Sequence, residues 1–103
     1  MKQMQKRSEF RKNKVSGHPA YIYAKVGNEF IYLGLTHSAI DKKSGKINIL
    51  LECNPNPKDS QDAYIKTQSE TLKSNKFSKQ PYKNWSFTPN DQKKVDKIKK
   101  RTK

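Results

Sequence analysis

Apolar and polar positions alternate most clearly between residues 20 and 36. Ala20, Ile22, Ala24 and Val26 take every second place, and Tyr21, Tyr23 and Lys25 stand between them. A period of two is that of a strand with two different faces. Gly27-Asn28 follows, a dipeptide that suits a tight hairpin turn because it tolerates positive φ. Glu29 to Thr36, rich in aromatic and branched residues, reads as the return strand. Ile47, Ile49 and Leu51 share one face of a third strand over 47–53. Asn54-Pro55-Asn56-Pro57 must stop that strand, because two prolines remove two ladder donors. Ala63 to Thr67 predicts a short fourth strand, and Trp85-Ser86-Phe87 a brief fifth. Residues 68–84 are polar, with Leu72, Phe77 and Tyr82 as isolated anchors, and are expected as a long loop.

The two ends follow other rules. Residues 1–16 show no clean period: Met1, Met4 and Val15 flank basic groups and Phe10 is the one large anchor. A basic arm or a short helix is expected there. The C-terminal helix is better marked, over 88–101. Thr88 can cap it, Pro89 suits its first turn, and Asp91 faces the positive end of its dipole. Val95 and Ile98 give that helix a narrow apolar stripe, and lysines from Lys93 to Lys103 cover the rest. The expected fold is mainly β (α+β): one small domain over 17–103 with about five antiparallel strands and this helix.

Composition sharpens the picture. The chain has 103 residues and a net charge of +14 from 23 Lys+Arg against 9 Asp+Glu. Residues 1–14 carry six basic groups and one acid, and residues 90–103 carry seven and two, so ten of the fourteen net charges sit at the ends. No run approaches the roughly 20 apolar residues of a membrane span. No apolar stretch follows the basic start, so a secretory signal is not expected. The lone Cys53 rules out an internal disulfide and an all-cysteine zinc site, and fits a reducing cytoplasm. No cluster has metal-ligand spacing and no glycine loop cradles a phosphate, so neither a metal nor a cofactor is expected.

A field this positive attracts polyanions, and each phosphate contact adds counterion release. Twenty of the 23 basic residues are Lys, which favours backbone contact over the bidentate base reading of Arg. Arg7, Arg11, Lys12, Lys14, Lys93 and Lys97 are the candidates for that contact, with RNA ahead of DNA because no helix-turn-helix pattern occurs. Tyr21, Tyr23 and Lys25 share one strand face, on which unpaired bases could stack; alternatively the helix or the long loop packs over it. The two histidines bracket the hairpin, so antiparallel pairing brings His18 near His37. Two imidazoles beside a phosphate can act as general base and general acid in RNA cleavage, and Thr36 and Ser38 can hydrogen-bond its oxygens.

Gly17-His18-Pro19-Ala20-Tyr21-Ile22-Tyr23, then Gly27-Asn28, then Leu33-Gly34-Leu35-Thr36-His37-Ser38 resembles the opening of the MazF/PemK-like toxins and, in the same region, the ToxN-type toxins. A terminal strand and polar helix over 84–99 is also similar. The resemblance implies a small SH3-like barrel that cleaves single-stranded RNA and is neutralised by an acidic antitoxin protein. By position Thr36 and Ser38 match the family's Thr-Ser element. His18 stands where the family prefers an arginine before proline; an imidazole there can serve as acid or base in its place. The family also begins with a strand that residues 1–16 do not obviously supply. The expected partners are therefore single-stranded RNA, an antitoxin and a second copy of the chain, with no membrane. The rival expectations are an accessory protein of a phage or mobile element that binds nucleic acid without cutting it, and a module whose basic tail docks an acidic protein.

Overall fold

A computed structural model describes residues 3–101; Met1 and Lys103 lie outside the described residues, as do the side chains of Lys100 and Arg101. The chain forms β1 (Met4–Lys12), β2 (Pro19–Val26), β3 (Glu29–Thr36), β4 (Ile49–Leu50), β5 (Tyr64–Ile65) and β6 (Glu70–Lys73). A 3-10 turn (Ser74–Lys76) follows, and α1 (Pro89–Arg101) comes last. All the pairings are antiparallel, in the order β1-β2-β3-β5-β4, with β6 also on β3. Strand β3 therefore serves two partners on one edge: Glu29–Tyr32 pairs with β6, and Leu35–Thr36 with β5.

The hairpin and the helix form where the sequence places them. Gly27 takes a φ of 61° in the turn, and Thr88 Oγ1 accepts the Asp91 N–H at 3.1 Å at the helix start. Residues 1–16 differ from the expected arm or short helix, because Met4–Lys12 is a nine-residue strand with Phe10 opposite Tyr21. Its period was invisible because Phe10 alone is buried on one face, while the other face carries Arg7, Glu9 and Arg11 instead of apolar residues. The expected loop 68–84 contains β6, whose one apolar residue, Leu72, lies opposite Phe30. The third and fourth strands shrink to two residues each. Ile47, expected to share a face with Ile49 and Leu51, is 75% exposed while Leu51 is buried, and Trp85-Ser86-Phe87 forms no strand.

The expected five-strand barrel is not formed as such: the six-stranded sheet stays open. Residues 76–82 run back along the outer edge of β1, with Ser78 N–H donating to Lys12 O at 3.0 Å and Tyr82 N–H to Phe10 O at 2.7 Å. Pro81 interrupts this run, since it has no N–H to give a ladder.

Alternation along β3 builds two cores on opposite sides of the sheet. Leu33 and Leu35 join Phe10, Tyr21, Leu51 and Ile65 beneath Val95 and Ile98 of α1. Phe30 and Tyr32 join Ala20, Ile22 and Phe77 on the other side. Phe87 packs edge-on against both Phe10 and Tyr21, with ring centroids 5.0 and 4.8 Å away. The segment read as a fifth strand thus stabilises the core through its rings, which need no ladder.

Candidate functional site

The sheet leaves two concavities at the open end of the β2–β3 hairpin. The larger is a groove of about 820 Å³ floored by Tyr32, Gly34 and Leu72, with Lys42, Lys43, Lys46 and Lys66 on its walls. The smaller is a pocket of about 80 Å³ between Pro55, Asn56, Asp59 and Trp85. His18 and Thr36 line both, so they form the shared rim. His37 lines the small pocket and Ser38 the groove.

Each wall has a local cause. Residues 39–48 fold back on themselves: Ile40 bridges Ile47, and the Asp41 N–H donates to Lys46 O at 2.9 Å. This arm lifts Lys42, Lys43 and Lys46 over the groove. It is tied to the opposite wall by Lys46 Nζ donating to Gln68 Oε1 at 3.1 Å, and by Lys66 Nζ at 3.9 Å from Asp41. The Lys43 backbone N–H above all, helped by the Lys66 ammonium, holds the Asp41 carboxyl below its usual range against the opposing effect of desolvation. Lys66 lies along the sheet because residue 34 is glycine: a Cβ there would stand 3.1 Å from the Lys66 Cδ.

The rim is held by hydrogen bonds. Thr36 Oγ1 accepts the Ser38 N–H at 3.2 Å, and the buried Asn48 donates Nδ2 to Ser38 O at 3.0 Å. Before β2, Asn13 Oδ1 accepts the N–H groups of Val15 and Ser16, and Asn13 N–H donates to His18 O. That turn presents His18. His37 Nε2 lies 3.0 Å from Asp59 Oδ2. The Gln61 backbone N–H, and then His37, hold the Asp59 carboxyl below its usual range. At the groove floor, burial pushes the Tyr32 phenol up to about 12, and the Glu70 carboxylate that accepts its hydrogen bond adds to the push.

The structure separates the sequence candidates. His18, Thr36, His37 and Ser38 gather at this end. Tyr21 does not offer a stacking face: it is 2% exposed and packed under α1, its Oη 3.1 Å from Ser8 Oγ. The shared face of Tyr21, Tyr23 and Lys25 is broken by a bulge between Ile22 and Ala24. Lys25 is thereby turned to Phe30, its Nζ 6.0 Å from the ring centre. Tyr23 is half-buried, hydrogen-bonded to Ser69 and covered by Lys99.

Arg7 and Arg11 are engaged inside the fold. Both pair with Glu9 and lie over Phe30 at 5.3 and 5.5 Å, and Arg11 also donates to the carbonyls of Ser78 and Lys79. Lys12 and Lys14 are exposed on the β1 side, and Lys93 and Lys97 on α1. None of these four lines either cavity. The lysines that do come from the polar loop 41–46 and from β5's exit, which a count of charge at the ends passes over. A signal was present in Asp41-Lys42-Lys43-Ser44-Gly45-Lys46, the densest basic run of the middle section.

Among the described residues no three His, Cys, Asp or Glu side chains come together as metal ligands, and no helix is long and apolar enough to cross a membrane. Comparison with known proteins finds no matching family model, no matching curated protein and no matching solved structure.

Proposed function

We propose that this chain binds single-stranded RNA in the lysine-walled groove and cleaves it at the His18–Thr36 rim. One observation carries the reading: both histidines line a pocket whose rim, His18 and Thr36, is also the rim of a groove with four lysines on its walls. The lysines neutralise backbone phosphates, and the rim meets one of them with hydroxyl and imidazole groups. A ribose 2′-hydroxyl attacks the adjacent phosphorus, a 2′-oxygen–phosphorus bond forms, and the bond to the 5′-oxygen breaks. With Nε2–H donated to Asp59, His37 keeps the Nδ1 lone pair to take the hydroxyl proton, and His18 protonates the departing oxygen. Thr36, Ser38 and a groove lysine stabilise the added charge. The products are a 2′,3′-cyclic phosphate and a 5′-hydroxyl.

The resemblance to MazF/PemK-like toxins agrees with this assignment. Strand β1 supplies an opening strand, and the return of 76–82 along its outer edge adds a further segment to the open sheet, as an incompletely closed relative of that barrel would. Toxicity and control by an acidic antitoxin belong to the same proposal. The test is incubation of the pure protein with labelled RNA in EDTA. Fragments ending in 2′,3′-cyclic phosphate are expected, and the double variant His37→Ala with Thr36→Ala loses roughly 10²–10⁴-fold in rate while its melting temperature holds. Undiminished cleavage by that variant overturns the site.

A second reading, binding without cleavage, is favoured by the placement of His37 and Ser38 in different concavities. In that case the RNA is retained intact at the same salt-dependent affinity.

A further inference from the structure

The pocket beside the rim has a chemistry that the lysine groove lacks. Its volume of about 80 Å³ has room for a single ring and none for a base pair. Pro55 is buried in its wall and Trp85 closes one side. Trp85 is rigid because it stacks on Tyr82, with centroids 4.2 Å apart and planes within 10°, and leans on Phe10 at 5.8 Å. Flat apolar walls of this kind accept a base taken out of its stack.

The polar groups are few and directional. Asn54 is used by the fold: Nδ2 donates to Gln61 O at 2.9 Å, and Oδ1 accepts the Asn56 N–H at 2.9 Å. Asn56 Oδ1 accepts the Lys58 N–H at 3.0 Å, so its Nδ2 is the group it can offer a ligand. When ionised, Asp59 offers acceptors only: Oδ1 takes the Gln61 N–H, Oδ2 meets His37 and the Asn54 side chain also bonds this carboxylate, which leaves one lone pair for a ligand. An amide donor beside a carboxylate acceptor matches a base edge that carries an acceptor beside an amino group.

We infer that this pocket binds one unpaired pyrimidine of the RNA, with cytosine preferred: Asp59 accepts from its exocyclic amine and Asn56 donates to its ring edge. The size of the pocket selects one ring over two. Asp59 selects cytosine over uracil, because uracil turns a carbonyl oxygen to the place where cytosine has its amine. This rests on the RNA-binding reading and adds sequence preference to it: the groove holds any strand, and the pocket fixes which nucleotide sits at the rim. Because Asp59 also touches His37, filling the pocket and orienting the imidazole occur at one carboxylate.

The experiment uses the full chain and fluorescent 2′-O-methyl octamers of cytosine, uracil and adenine, which cannot be cut through the 2′-hydroxyl. The cytosine octamer is expected to bind roughly tenfold more tightly than the adenine octamer, a step of about 1.4 kcal/mol. Asp59→Asn replaces the carboxylate by an amide that can accept from cytosine's amine or donate to uracil's carbonyl, so the cytosine octamer loses its lead over uracil while adenine affinity and salt slope stay unchanged. Asn56→Ala removes the preference for pyrimidine over adenine by about tenfold, with the same salt slope, and serves if Asp59→Asn melts early. Equal binding of the three octamers, unchanged in both variants, overturns the pocket and leaves the groove standing. Failure to bind any octamer at low salt overturns the RNA-binding reading as well.

Discussion

Glu9 shows how a single residue hid a strand. It sits in β1 opposite Ile22, where an apolar side chain would have announced a period of two. It is instead an ion held by two guanidiniums, Arg7 at 2.8 Å and Arg11 closer still, with Phe30 beneath both. Burial by itself would raise its carboxyl; the paired arginines outweigh that and leave it below its usual 4.5. A carboxyl lowered by folding stabilises above its unfolded value, and that stability is lost as pH falls through the folded value. Urea unfolding of the native chain should therefore weaken from pH 5 down to pH 3. Glu9→Gln should be less stable by about 1–2 kcal/mol at pH 7 and show a shallower acid decline. An equally steep decline in the variant would mean other carboxylates carry it. Arg7 and Arg11, read in the sequence as ligands for RNA, are thus groups of the fold, and only their pairing distinguishes the two roles.

At the scale of elements, α1 was legible and its attachment was not. Thr88, Pro89 and the Val95–Ile98 stripe are local signals, and they mark the helix as observed. Asp91 stands in the first turn, at the positive end of the dipole, and has a second role: it is 0% exposed and its carboxylate accepts the N–H groups of Glu52 and Cys53 at 2.8 and 3.2 Å, with Lys94 at 3.4 Å. The helix start thereby satisfies the donors of a segment that has just left β4. Asp91→Ala should destabilise by about 3 kcal/mol in urea unfolding, because two donors lose their acceptor, and Asp91→Asn by less. A variant as stable as the native chain would mean water takes over both donors. The strands divide in the same way. The β2–β3 hairpin was readable because its turn and both its periods are local, whereas β6 has Leu72 alone and exists because Phe30 is opposite. The candidate site follows suit: His18, Thr36, His37 and Ser38 were found from hairpin pairing, but Asn48, Asn56, Asp59, Lys66 and Trp85 come from segments that meet only in the fold.

For the whole molecule the net charge of +14 is the dominant property, and its arrangement matters more than its size. The ends hold most of the excess, yet the lysines of the groove come from the middle of the chain. Affinity for single-stranded RNA should fall with salt, by about 0.7 in the logarithmic slope for each phosphate contact. Changing Lys42 and Lys43 to Ser should flatten that slope by about 1.4, whereas the same change at Lys93 and Lys97 should leave it nearly unaltered. Anisotropy titrations between roughly 50 and 200 mM salt measure both. A loss from the Lys93 and Lys97 pair alone would place the strand along α1 instead of in the groove.

The sequence by itself determined the mainly β character, the hairpin with its turn, the capped terminal helix and the large positive charge. These rest on periods, caps and charge, which act between residues a few places apart or need no geometry at all. The tertiary structure decided which charges are paired and which line the groove, and that the sheet stays open. It also decided that Tyr21 is core, and that a lysine arm and a proline–asparagine turn flank the histidines. Each depends on segments separated by tens of residues meeting at one place, as β1 meets 76–82 and Asp59 meets His37. No window along the chain contains both partners of such a contact, and the free energy that selects it exists only once they are packed together.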